Sequence, residues 1–147
     1  MWLNQIRTYG HLIKFSHTIF ALPFALAAVL LAHRQYPVTW SGLFWIILAM
    51  AGARSAAMGF NRLADYKYDK INPRTSNRPH ATGEIGKPSL ILFISLSSAV
   101  LIISAGMLGR LCLILSVPLL FILFFYSFTK RFTAYCHLFL GFAIGLA

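Results

Sequence analysis

Long apolar runs, interrupted by one extended polar stretch, constrain this chain more than any other feature. Lipid offers no hydrogen-bond partner to a peptide group, so a spanning segment must satisfy its own backbone, and a helix of about 20 apolar residues does so. Residues 90–108 contain no charged side chain at all. The chain of 147 residues is 59% hydrophobic and only 11% charged, with a mean hydropathy of +0.72, which is too oily for a soluble domain of this size. The expected fold class is therefore all-α, a multi-pass transmembrane helical bundle.

An amphipathic start, roughly residues 1–17, mixes Arg7, His11, Lys14 and His17 with Trp2, Leu3, Ile6, Leu12, Ile13 and Phe15, as an interfacial helix does. Residues 16–32 form a first span, short enough to need help from the apolar residues before it, and Pro23 should kink it. A short turn leads to a second span over 38–60, rich in Ala and Gly, which permits close helix packing. A polar segment follows over 61–87, then a third span over 90–108, a tight connection at Gly109 and Arg110, and a fourth span over 111–128. Residues 132–147 begin a fifth, so the chain reads as about four and a half helices, the N-terminal part of a single domain (1–147) cut within the fifth helix.

The net charge of +10 would suggest nucleic acid in a soluble protein, but here the bases sit in loops between spans, and no nucleic-acid partner is expected. Arg7, Lys14, Arg62, Lys67, Lys70, Arg74, Arg78, Lys87, Lys130 and Arg131 fall on one side, against Arg34 and Arg110 on the other. The positive-inside bias then puts the N-terminus and the 61–87 segment on the cytoplasmic side of an inner, multi-pass membrane protein embedded in the bilayer. Cys112 and Cys136 lack metal-site spacing and read as packing residues.

Only three acidic residues occur, and two of them, Asp65 and Asp69, stand four and eight residues beyond Asn61. If the second helix continues to about Asp69, these three side chains stack on one face. Two carboxylates and an amide oxygen are hard ligands, and Mg²⁺ is commonly held by one or two carboxylates plus substrate phosphates. The constellation suggests a metal-bridged diphosphate, with Arg62, Lys67, Lys70, Arg74 and Arg78 neutralising phosphate oxygens and Pro73 ending the helix. The plain alternative is a set of surface ion pairs at a helix end. Against it, ionisable groups near membrane depth are costly and default to function.

The segment resembles the first aspartate-rich motif, NxxxDxxxD, of UbiA-type intramembrane aromatic prenyltransferases, and NPRTSNRPHATGEI is similar to their NPRTxxRxxPxGxI loop. The likeness extends upstream through Ile13 to Ala25 and downstream through Tyr126 to Arg131, and is nearest the branch of 4-hydroxybenzoate polyprenyltransferases and their menaquinone-route relatives. The resemblance implies nine transmembrane helices around a cavity and two aspartate motifs holding Mg²⁺ and a polyprenyl diphosphate. It also implies transfer of the prenyl group to an aromatic acid in ubiquinone or menaquinone biosynthesis. By that likeness Asn61, Asp65 and Asp69 are metal ligands, the two aspartates also being catalytic, while Lys14, Arg74, Arg78, Tyr126 and Lys130 bind substrate. The loop departs from the pattern, reading His80-Ala81-Thr82-Gly83 where relatives often carry Leu-Pro-Ser-Gly. No second aspartate motif is present, so the chain as given is expected to be inactive alone.

His80, without a partner at metal-ligand spacing, reads as a loop or interface residue, and Tyr66 and Tyr68 as interfacial anchors. The Phe124, Phe125, Phe128 and Phe132 cluster reads as helix or lipid packing. Arg54, inside the second span and seven residues before Asn61, needs a carboxylate, carbonyl or phosphate partner. Two rival classes stay open: a transporter fragment in which Asp65, Asp69 and Arg54 line an ion path, and a structural subunit whose charges only set topology.

Overall fold

The computed structural model describes residues 8–10, 12 and 15–132. Among these, every regular element is a helix: α1 (Phe15–His33), α2 (Trp40–Ala64), α3 (Tyr66–Ile71), α4 (Pro79–Thr82), α5 (Lys87–Leu108) and α6 (Arg110–Phe132). Within the described residues α2, α5 and 110–129 of α6 are long and apolar enough to cross a membrane. The four predicted spans thus appear as helices, and the fifth lies outside the described residues. Pro23 sits inside α1, which runs through it without interruption.

Local chemistry sets the helix boundaries. His33 Nδ1 accepts the Val38 N–H at 2.9 Å and closes the turn after α1. Thr39 then caps α2, its hydroxyl accepting the Gly42 N–H at 3.1 Å. Gly109 alone separates α5 from α6, at φ 146°, a conformation that a side chain would strain.

The core of the bundle is the α2–α5 contact, built on small residues. A Cβ on Gly52 would lie 2.9 Å from the Leu101 nitrogen and 3.0 Å from the Ser97 carbonyl oxygen, so α2 and α5 approach backbone to backbone there. Ala56 is fully buried one turn on, packed with Leu101 and Leu120. A Cβ on Gly59 would meet Ile94 Cγ1 at 2.9 Å. This is how helices associate in lipid, where tails are as apolar as leucine and close van der Waals packing replaces the hydrophobic drive. Leu92, Leu96, Ile103, Leu111, Ile114 and Phe121 turn outward, as they do on a bundle whose solvent is hydrocarbon. Cys112 is exposed among them, which corrects its reading as a packing residue: it lies on the outer side of the first turn of α6.

A second cluster closes the polar end. Leu12, Ile85, Leu90 and Ile94 are buried together, with Tyr9, Phe60, Leu63 and Phe124 against them. It fastens the segment before α1 and the loop after α4 onto the ends of α2 and α5. That end carries the polar motif.

Candidate diphosphate and metal site

The helix expected to run to Asp69 breaks at Asp65, yet two i to i+4 hydrogen bonds bridge the break. Asp65 takes φ −84° and ψ 2°, ending α2 and starting α3. Its N–H donates to the Asn61 carbonyl at 3.0 Å, and the Asp69 N–H donates to the Asp65 carbonyl at 2.9 Å. The i to i+4 relation among Asn61, Asp65 and Asp69 therefore survives in the backbone across a bent junction.

Asp69 is buried and anchors the following loop. Its Oδ2 accepts from Arg78 Nη1 at 2.8 Å and meets His80 Nε2 at the same distance. The Asp69 backbone carbonyl accepts from Thr75 Oγ1 at 3.1 Å. Between them, Asn72 precedes Pro73 in extended backbone, and its Oδ1 takes the Arg74 N–H at 3.0 Å. Pro79 opens α4 at a position where its missing N–H costs nothing, and Gly83, left-handed at φ 92°, closes it. The Ile85 N–H then returns to the Pro79 carbonyl at 3.1 Å. These turns carry Arg78 and His80 back onto the carboxylate.

His80 is fully buried, which corrects its reading as a loop or interface residue. The signal that pointed to it was the departure from the family's loop pattern at that position. Burial lowers the imidazole's proton affinity by more than the Asp69 carboxylate restores. Burial alone would raise the Asp69 carboxyl, but the bonds from Arg78 and His80 and the Arg78 charge outweigh it and hold it below the usual carboxylate range. At neutral pH the pair is thus an ionised Asp69 and a neutral His80 that donates from Nε2. His80 Nδ1 is enclosed and has no hydrogen-bond partner among the described residues.

Other expected residues divide. Arg62 is buried and its Nε donates to the Leu12 carbonyl at 3.3 Å, tying the segment before α1 to the end of α2, while its charge lies within electrostatic reach of Asp65, Asp69 and Arg78. Arg74 is exposed at the loop's turn, while Arg78 is committed to Asp69. On Tyr66, Lys70 and Lys87 each place Nζ 4.9 Å from the ring centroid. Tyr68 is exposed. Tyr126 is half-buried in α6, with its carbonyl accepting from Thr129 Oγ1 at 2.8 Å. Phe60 stacks on Phe124 at 4.4 Å and meets Phe128 edge-on at 5.7 Å, so the α6 turn bearing Tyr126 lies beside the α2 turn bearing Asn61. Lys14 and the Lys130 side chain lie outside the described residues.

Whether a divalent ion fits can be judged from the donors. Asn61, Asp65 and Asp69 offer hard oxygens in helical register, the chemistry Mg²⁺ selects. Among the described residues no group of three or more His, Cys, Asp or Glu converges on a point, so protein oxygens here make at most part of a shell, as Mg²⁺ sites completed by phosphates do.

The chain matches the UbiA prenyltransferase family over residues 21–147. It is similar to the 4-hydroxybenzoate octaprenyltransferases of Marinomonas sp. strain MWYL1 (34% identity, covering 99% of this chain and 52% of the relative). The one from Dechloromonas aromatica strain RCB is 38% identical, covering 72% of this chain and 36% of the relative. Among solved structures it resembles the apo structure of a UbiA homolog from Aeropyrum pernix K1, with a TM-score of 0.82 and 36% identity over 88% of this chain and 46% of that one. The chain spans about half or less of the length of these relatives. A family match over most of the chain, a shared helical membrane fold and the register of Asn61, Asp65 and Asp69 agree: the chain belongs to the UbiA prenyltransferase family.

Proposed function

We propose that this chain carries the diphosphate-binding half of a membrane prenyltransferase that moves a polyprenyl group from its diphosphate to an aromatic acid such as 4-hydroxybenzoate, for ubiquinone or menaquinone. The observation that carries the reading is the pair of backbone hydrogen bonds that link Asn61, Asp65 and Asp69 in i to i+4 register at the polar end of an apolar helical bundle. In this reading the bundle sits in the inner membrane with the N-terminus and the 61–87 loop cytoplasmic, following the Lys and Arg bias.

Asn61, Asp65 and Asp69 would hold Mg²⁺, which when bound supplies positive charge to a departing diphosphate. Arg74, Arg78, Tyr126, Lys130 and Lys14 bind the phosphate oxygens, and the four cations, with the Tyr126 hydroxyl as a neutral donor, stabilise the negative charge that builds as the allylic carbon–oxygen bond breaks. Arg78 reaches that position already oriented by its bond to Asp69. The apolar helix walls exclude water from the allylic cation, leaving ring carbon of the acceptor as the nucleophile. The released diphosphate then takes the ring proton, which restores aromaticity.

The test is prenyl transfer by the whole protein in membranes supplied with Mg²⁺. Asp65→Asn and Asp69→Asn should each abolish formation of prenylated 4-hydroxybenzoate, and undiminished product from either variant refutes the assignment.

A further inference from the structure

The Asp69 carboxylate is held by two donors of opposite character. Arg78 Nη1 and His80 Nε2 both meet Oδ2 at 2.8 Å, and Oδ1 takes a bond from neither. The Arg78 side chain is 28% exposed, whereas that of His80 has no exposed surface, so one donor can turn away and the other cannot. Backbone bonds fix the imidazole's place: the Ala81 and Thr82 N–H groups donate to the Arg78 carbonyl at 2.8 and 2.9 Å on either side of the return from Ile85 to Pro79. Thr75 holds the Asp69 main chain separately, through its carbonyl. What the two side-chain donors decide is therefore the rotation of the carboxylate.

An imidazole is a costly way to fill this place. Its enclosed Nδ1 finds no hydrogen-bond partner among the described residues, a burden that an apolar residue closing the same loop would not bring. The donor at Nε2 is what the imidazole adds. In the reading above, Arg78 has two claimants, Asp69 and the diphosphate, and its Nη1 cannot serve both fully. Once it turns to phosphate oxygens, a carboxylate with no other side-chain donor is free to rotate. A ligand oxygen that must be ordered afresh binds its metal more weakly, which is why hydrogen bonds to the far side of a ligating group matter.

We infer that His80 is a positioning residue: it keeps Oδ2 of Asp69 in place, leaving Oδ1 for the divalent ion, when Arg78 leaves that carboxylate for the diphosphate. This inference rests on the prenyltransferase reading above. It implies a handover. With metal alone both donors hold Asp69, and the loss of one is masked by the other; with diphosphate bound, His80 holds it alone.

The test measures Mn²⁺ affinity by EPR on the full 147-residue chain in lipid nanodiscs, without and with inorganic pyrophosphate, the Mn²⁺–pyrophosphate complex in solution being measured separately. Wild type is compared with His80→Leu, His80→Gln and Gly83→Ala. Gly83→Ala loosens the same loop by straining a residue at φ 92°, meets no atom within 4 Å, and leaves both donors of Asp69 in the chain. Amide exchange at Ala81 and Ile85 reports the loosening in each variant. With Mn²⁺ alone, all should stay within about twofold of wild type. With pyrophosphate, His80→Leu should bind Mn²⁺ about ten- to hundredfold more weakly. His80→Gln, whose amide Nε2 can stand where the imidazole Nε2 stands, should recover to within about threefold, and Gly83→Ala should match wild type. An undiminished affinity in His80→Leu overturns the inference, as does an equal loss in Gly83→Ala, a loss of the same size without pyrophosphate, or a His80→Gln no better than His80→Leu. If instead Asp65→Asn leaves Mn²⁺ binding unchanged, with pyrophosphate and without, the prenyltransferase reading itself fails, whatever His80 does.

Discussion

His80 and Asp69, eleven residues apart, are joined through Nε2 and Oδ2 at 2.8 Å in a buried contact that the Pro79–Thr82 turn and Gly83 close. A carboxylate shared with Arg78 on the same oxygen holds the 72–83 loop against α3. Its strength is therefore the strength of the loop. His80→Leu keeps an apolar body in the site and removes the donor, leaving Asp69 on Arg78 alone. Loss of one charge-assisted bond costs about 1–3 kcal/mol, so amide exchange at Ala81, Thr82 and Ile85 should accelerate by about ten- to hundredfold while α5 is unaffected. Unchanged exchange in the loop contradicts the anchoring role.

The same pair sets a pH response in the metal-free protein. Both groups have folded values below their ordinary ones. For His80, protonation favours the open loop, so protection is complete above about pH 6.5 and declines below it until the folded imidazole also charges. For Asp69, the contribution is complete above about pH 3.9 and disappears as pH falls through the lower folded value. The two act in one direction, and hydrogen exchange of the loop in EDTA should show protection falling monotonically from pH 7 to pH 3. A maximum near pH 5 would mean that His80 is charged in the folded loop.

Gly52 and Gly59 predict a graded response at the α2–α5 contact. The Cβ of Gly52→Ala would meet backbone atoms of Leu101 and Ser97 at 2.9 and 3.0 Å, which cannot yield, whereas the Cβ of Gly59→Ala meets side-chain atoms of Ile94 and Phe93. Gly52→Ala should therefore cost about 1–3 kcal/mol by overpacking and Gly59→Ala clearly less, as measured by denaturation in mixed micelles. The reverse order would show that the helices are held at a different depth.

How much of this was legible beforehand depends on the range of the interaction. The spans at 90–108 and 111–128 and the tight join at Gly109 follow from apolar length and a single glycine, which are local properties. So does the register of Asn61, Asp65 and Asp69, because a four-residue spacing carries its geometry with it. The break at Asp65 was not legible, since nothing in Leu63-Ala64-Asp65-Tyr66 forbids helix. His80 was misread for a different reason: its partner lies across a loop whose closure depends on Asn72, Pro79 and Gly83 together, and no single one of them announces a buried imidazole. The tie from Arg62 to the Leu12 carbonyl was not legible either, because that partner lies fifty residues away, beyond any periodic pattern.

Phe60 and Phe124, stacked at 4.4 Å, decide how closely the α6 turn with Tyr126 approaches the aspartate motif. In water, truncating such a pair would release a large hydrophobic term, but in lipid the tails replace lost apolar contact and only the directional ring interaction and packing remain. Phe60→Leu and Phe124→Leu keep most of the volume. Each single change should lower stability by about 1 kcal/mol, and the double-mutant cycle should return a coupling of about 0.5–1.5 kcal/mol. If the stack positions Tyr126 as well as holding the helices, both variants should also weaken pyrophosphate binding in the presence of Mn²⁺, since Asn61 adjoins Phe60 in the chain. A coupling energy near zero, with pyrophosphate binding intact, would mean that α6 is placed by its contact with α5 and that the aromatic pair only fills space.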